Sequence, residues 1–173
     1  MSDDYRARVY GSYVTSRSMM LAPTSLEKLG PRAPFLQRIV RLHFPASKSA
    51  EILDLGCGYG AMVYFGHTAG YSNIRGVDGS VEQVALSQKL GIPNVKHADL
   101  IATIQAQGDQ TLDMVIAFDV IEHFTKGELL RFLDHVHRVL KSGGRFLIHA
   151  PNAESPFGAR TLYGDITHEL AFT

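Results

Sequence analysis

Apolar residues in this chain fall into short continuous runs separated by longer stretches with three- and four-residue spacing, a pattern that predicts strands and helices in turn. Residues 1–24 carry little pattern and hold Tyr5, Tyr10, Tyr13 and the adjacent pair Met19 and Met20. Thr24 or Ser25 has the chemistry of a helix cap, but Gly30, Pro31 and Pro34 interrupt a helix there. Phe35, Leu36, Ile39, Val40 and Leu42 form one apolar face and predict a helix over 35–43, which Pro45 ends. Strands are predicted over 52–55, 73–77, 94–97, 112–118 and 145–150. Helices are predicted between them over 61–69, 80–90, 100–107 and 122–140. The last carries Leu129, Leu130, Leu133, Val136, Val139 and Leu140 at helical spacing. Ser80 suits the N-cap of the second, and Gly91 and Pro93 stop it. Ser142, Gly143 and Gly144 turn the chain into the last strand.

Strands that alternate with helices dictate an α/β fold, a Rossmann-like, doubly wound parallel sheet with right-handed crossovers and five visible strands. The 173 residues suffice for a single domain with a real core. They divide into an N-terminal helical cover (1–49), a core (50–152) and a tail (153–173) in which the pattern dissolves. Such a tail is either a functional loop or a segment whose packing partner is missing.

Composition narrows the partners. Lys+Arg and Asp+Glu number 17 each, so no excess of charge favours nucleic acid or an anionic membrane. The single cysteine, Cys57, excludes an internal disulfide framework and fits a reducing compartment. The first eight residues lack the apolar segment of a signal peptide, and no run approaches the roughly 20 apolar residues of a membrane helix. The expectation is a cytoplasmic protein with no membrane span and a small-molecule partner.

The chemistry concentrates where the first strand meets a turn. Ile52 to Leu55 breaks at once into Gly56, Cys57, Gly58, Tyr59 and Gly60. Glycines at that place let the backbone take positive φ or approach a ligand closely, and the carboxyl ends of strands are where open α/β sheets bind ligands. Two nucleoside cofactors fit. Gly56, Gly58 and Ala61 satisfy a dinucleotide fingerprint, with Asp78 lying 20 residues beyond Gly58. Against that reading, Asp54 sits inside the strand end and faces an amine better than a pyrophosphate. Asp99 follows the third strand, and Phe118, Asp119, Val120, Ile121, Glu122, His123 and Phe124 follow the fourth.

Together these pieces resemble the class I S-adenosylmethionine-dependent methyltransferases over roughly residues 50–152, the small-molecule O-methyltransferases in particular. The resemblance implies S-adenosyl-L-methionine as cofactor. Gly56, Cys57, Gly58 and Gly60 would pass under its methionine part, with Asp54 near the amino group and Cys57 as a packing residue. Asp78 would accept the ribose hydroxyls, and Gly79 and Ser80 would line the adenosine. Asp99 would face the adenine N6, Leu100 would donate from its backbone, and Phe118, Asp119 and His123 would close the methionine side. Ser80 is equally suited to a helix cap and Leu100 to the core.

Catalysis asks for an aligned acceptor and, for a protic one, a base. His123, His149 and His168 are the candidates. Asp119, Glu122 and His123 share a face if a helix begins by Asp119. They could then hold a divalent ion, although no metal is assigned. Tyr163, Asp165 and His168 in the tail would cover a hydroxylated acceptor, and Tyr10 and Tyr13 could lie across the cofactor. Family members usually add an antiparallel hairpin after the fifth strand. None is visible here, so the chain is expected to be cut short or to cover that edge by dimerising. The rival functions are a nicotinamide-dependent oxidoreductase and a non-catalytic S-adenosylmethionine-binding domain.

Overall fold

The computed structural model describes residue 9, residues 23–29 and residues 32–173, so Tyr10, Tyr13 and the Met19–Met20 pair lie outside the described residues. A single 3₁₀ turn at Leu26–Leu29 precedes α1 (Ala33–His43). The chain then alternates through β1 (Ile52–Leu55), α2 (Ala61–Thr68), β2 (Ile74–Asp78), α3 (Val81–Lys89), β3 (Val95–His97), α4 (Leu100–Gln105) and β4 (Leu112–Phe118). A 3₁₀ turn at Ile121–His123 leads into α5 (Lys126–Val139), β5 (Leu140–His149) and α6 (Gly158–Tyr163). All pairings are parallel and the sheet order is β3-β2-β1-β4-β5, the doubly wound arrangement expected.

β1 is central and buried at every residue, as a strand covered on both faces must be. Alternation along β1 and β4 sends Ile52, Met114 and Ile116 into one core layer, with Val63 and Phe65 of α2 and Ile74 of β2. Leu53, Leu55, Val115 and Ala117 face the opposite layer, where Phe132, Val136 and Val139 of α5 meet Ile104 of α4. Register is thereby fixed, since a one-residue slip would exchange the two layers.

Three local expectations need correction. The helix predicted over 122–140 begins only at Lys126. Thr125 accepts the Glu128 backbone N–H, and the Glu128 carboxylate accepts the Thr125 N–H at 2.7 Å, a reciprocal capping box that sets the start. Its buried face is Phe132, Val136 and Val139, whereas Leu130 is 65% exposed. The Ser142–Gly144 turn is a bulge within β5, between the pairs Leu112–Leu140 and Met114–Arg145, with Gly143 at φ +76°. The tail is ordered as well. Past α6 it returns as a strap, with a parallel bridge between Asn152 and Phe172 and a 2.8 Å bond from Ala153 N–H to the Phe172 carbonyl.

Among the described residues no strand pairs with the outer edge of β5, and Ile148 there is 42% exposed. No helix among them is long and apolar enough to cross a membrane. The capping box gives a direct test of the helix start. Thr125→Ala should lower unfolding free energy by about 1 kcal/mol, read as a lower urea midpoint at unchanged slope. An unmoved midpoint would show that the box does not stabilise α5.

Candidate functional site

The turn after β1 is closed on one side and open on the other. A Cβ on Gly56 would lie 2.5 Å from Val120 Cγ2, and one on Gly60 would lie 2.6 Å from Val95 Cγ2. Gly58 instead sits at φ +56° with its nearest described neighbour, the Gln83 side chain, 3.9 Å from a Cβ position, and Gly79 has no described residue within 4 Å. Among the described residues, Gly58 and Gly79 therefore border open space at the carboxyl ends of β1 and β2.

Asp78, the last residue of β2, ties the glycine turn to the N-cap of α3. One carboxylate oxygen accepts the Gly58 N–H at 2.7 Å and the other accepts the Ser80 N–H at 2.8 Å. Burial raises its pKa, and these two backbone donors offset part of the rise. Asp54 is buried at 2% exposure, and its pKa is pushed up to about 8, by burial first and by the Asp78 carboxylate second. It is neutral at pH 7 in this state. Cys57 packs over Gly76, where a Cβ would come within 2.6 Å of Sγ. Burial, then the carboxylates of Asp54 and Asp78, push its thiol far up, which fits a packing residue and excludes a nucleophile.

Two expected cofactor contacts also serve as caps. Ser80 is buried and N-caps α3, accepting the Gln83 N–H at 3.4 Å. Asp99 is exposed and N-caps α4 through Oδ1, which accepts the Ala102 N–H at 2.7 Å. Leu100, half-buried, packs on the α5 side of the core.

At the ends of β4 and β5 the predicted Asp119–Glu122–His123 face does not form. Asp119 takes φ +55° and the chain enters a 3₁₀ turn, so the acids turn to different partners. Asp119 donates its N–H to the His149 carbonyl, and its Oδ1 lies 2.6 Å from His149 Nδ1. Arg32 reaches Asp119 Oδ2 at 3.4 Å. The His149 ring stacks on Phe118 at 5.2 Å, and Phe35 meets His149 edge-on at 5.9 Å. Glu122 and His123 turn instead toward His168 on the strap, with the His123 and His168 rings 4.8 Å apart. Burial, ahead of two minor acidic neighbours, raises the Glu122 pKa to about 7. Tyr163 is 83% exposed.

Three of the five other histidines have ordinary hydrogen-bond partners. His67 meets Asn94, His97 meets the Gly79 carbonyl, and His135 meets Gln105. Arg32, Gln83 and Thr167 carried no signal in the sequence, because their roles arise from contacts across long separations or from the helix surface. Phe35 was legible only as part of a helix face. The buried, unbonded Gln83 Oε1 beside Gly58 would be met by a donor placed in the open space.

Comparison with known proteins agrees with this geometry. Residues 30–171 match the family described as "Methyltransferase domain". A mitochondrial ubiquinone biosynthesis O-methyltransferase of Dictyostelium discoideum is 27% identical over 124 residues, covering 64% of this chain and 38% of that protein. Cyclopropane mycolic acid synthase 3 of Mycobacterium tuberculosis is 25% identical over 121 residues, covering 69% of this chain and 42% of that protein. This chain thus spans half or less of the length of the curated relatives it matches. The crystal structure of a SAM-dependent methyltransferase from Archaeoglobus fulgidus superposes with a TM-score of 0.71 at 26% identity, over 83% of this chain and 64% of that one. With the fold, the glycine turn and the match over residues 30–171 in agreement, the chain belongs to the methyltransferase domain family, with the Rossmann-like fold of the S-adenosylmethionine-dependent enzymes.

Proposed function

We propose that this chain is the catalytic domain of an S-adenosylmethionine-dependent methyltransferase acting on a small molecule through a proton-bearing acceptor, a hydroxyl first among these. The observation that carries the choice of acceptor is the Asp119–His149 pair at 2.6 Å, at the same sheet edge as the glycine turn. The relatives are named for transfer to oxygen, for cyclopropane synthesis and for N-methylation, so their names alone do not choose the atom.

The fit to the cofactor rests on the open space beside Gly58 and Gly79, the orphaned Gln83 oxygen and the two carboxyl groups at its rim. When bound, the sulfonium supplies an already activated methyl group. Gly56, Cys57, Gly58 and Gly60 hold its methionine part and Asp54 pairs with the amino group. The Asp78 oxygens retain lone pairs for the ribose hydroxyls. Gly79 and Ser80 line the adenosine, and Asp99 offers Oδ2 to the adenine amine while Oδ1 stays with the cap. Leu100 donates from its backbone, and Phe118 and Asp119 close the methionine side.

His149 takes the acceptor's proton. With Nδ1–H donated to Asp119, Nε2 keeps the lone pair, and the carboxylate stabilises the imidazolium that forms. The acceptor oxygen would thus give up its proton as it takes the methyl group that the cofactor supplies when bound, and the proton would leave from Nε2 to water. His123 and His168, turned toward each other under the strap, are not placed in this step.

Calorimetry should show binding of S-adenosylhomocysteine and none of NAD, and the reverse would overturn the reading. Asp78→Ala should weaken that binding by ~1–3 kcal/mol, while unchanged affinity would remove the ribose role. Because Asp54 is neutral below about pH 8 in the free protein, an incoming ammonium must drive its proton off. The bound state then holds fewer protons, so affinity should rise with pH toward 8. At pH 7, calorimetry in buffers of different ionisation enthalpy should detect proton release that Asp54→Asn abolishes. With a panel of phenols and alcohols as acceptors, His149→Gln should lower kcat by ~10²–10⁴-fold and leave S-adenosylhomocysteine affinity intact. Equal turnover by both proteins would remove the base.

A further inference from the structure

Glu122 is a buried carboxyl, 2% exposed, without a hydrogen-bond partner for either oxygen among the described residues. Burying a carboxyl without compensation is costly, so a sequence that keeps one there supplies something for it to bind. The donor atoms that approach it are imidazole nitrogens. One ligand atom each from Glu122, His123 and His168 lie within 4.8 Å of one another, drawn from the 3₁₀ turn after β4 and from the strap.

We infer that Glu122, His123 and His168 form a binding site for one divalent transition-metal cation of the zinc class, completed when the strap docks.

The hydrogen-bond pattern around the site supports a metal over a trapped water. The Thr167 carbonyl, an acceptor only, lies 3.2 Å from His123 Nδ1, so that nitrogen must carry the proton. Thr167 Oγ1 agrees, because it gives its own hydrogen to Asp165 Oδ1 at 2.6 Å and can only accept from Nδ1 at 2.9 Å. Nε2 is therefore the basic nitrogen of His123. On the other ring, His168 Nε2 lies 3.6 Å from Asp165 Oδ2, an ion-pair separation too long for a hydrogen bond. The buried Asp165 carboxylate thus orients His123 through Thr167 and sets a negative charge beside His168. Outer groups that donate to or accept from the non-ligating nitrogen are the usual support of a histidine metal ligand. Asp165 is 6% exposed and Thr167 fully buried, so this outer layer is itself built into the core of the strap.

The donor set chooses the ion. Two imidazoles and one carboxylate suit zinc, cobalt or nickel and not magnesium or calcium, which take oxygen ligands. Tetrahedral bonds of ~2.0–2.2 Å place ligand atoms about 3.4 Å apart, so from separations of up to 4.8 Å the strap has to close by up to ~1.4 Å around the ion. A cavity of about 10 Å³, lined by Glu122, His168, Pro151, Leu162 and Leu170, lies alongside. It has room for about one water as a fourth ligand. The Glu122 carbonyl accepts the N–H groups of Glu169 and Leu170 at 2.8 and 3.0 Å, so site and strap are assembled together.

The test uses the full chain, freed of metal by dialysis against chelator and titrated with Co²⁺ and Zn²⁺. Co²⁺ should develop the visible absorption of a low-symmetry site at one equivalent. Zn²⁺ should raise the thermal midpoint and protect the amides of 165–170 from hydrogen exchange. His168→Gln and Glu122→Gln should each weaken Zn²⁺ at least tenfold, and Asp165→Asn should weaken it while leaving the ligands in place. His137→Gln, on the exposed face of α5, should change nothing. His168→Gln removes a strap ligand only, so it stays informative if Glu122→Gln fails to fold. No cobalt spectrum, or one that survives His168→Gln, overturns the site and shows a protonated carboxyl with at most a water. Calorimetry with S-adenosylhomocysteine is a separate measurement and is unaffected by either outcome.

Discussion

One carboxylate holds the candidate cofactor site in shape. Asp78 ends β2, and its two oxygens bind the backbone on either side of the opening, at Gly58 and at Ser80. Without it the three glycines of the turn, which take positive φ and carry no side chains, would have little to fix their distance from the end of β2. The same carboxylate lies close enough to Asp54 to help keep that group neutral. A dense negative rim is thereby avoided until a cation arrives. Geometry and charge at the site thus depend on the same residue.

The chain's handling of its acids is equally specific. A sequence of Asp119, Val120, Ile121, Glu122 and His123 invites a single polar face, and the backbone declines it. Positive φ at Asp119 costs energy for a residue with a Cβ, and it is held by the N–H bond to the His149 carbonyl and by the imidazole pair. The result is two centres, with Asp119 and His149 beside aromatic rings and Glu122, His123 and His168 beneath the strap.

The architecture was legible from the sequence because period and punctuation agree with burial. β1 and β4 read as apolar runs, since they are covered on both faces, and helix stops at Gly91 and Pro45 are where the chain turns. The glycine turn and Asp78 were legible for the same local reason. What escaped was set by contacts across the fold. Arg32 meets Asp119 over 87 positions, and Thr167 meets His123 over 44. The start of α5 was misplaced although Thr125 and Glu128 spell a capping box, because the apolar residues upstream continue the helical rhythm. The strap escaped because its order comes from backbone bonds to Glu122 and a single bridge at Phe172, neither of which leaves a periodic trace.

The contact between Cys57 and Gly76 constrains how this site can vary. The sulfur occupies the space a side chain on β2 would need, so the two positions share one fixed volume. A Cβ at residue 76 would also meet Val63 Cγ2 at 2.9 Å, so enlarging it needs both residue 57 and residue 63 to give way. Substitution at either place is therefore epistatic with the other. Drift at the floor of the turn must pass through linked changes, whereas residue 79, with no described residue within 4 Å of its Cβ position, is free of that coupling.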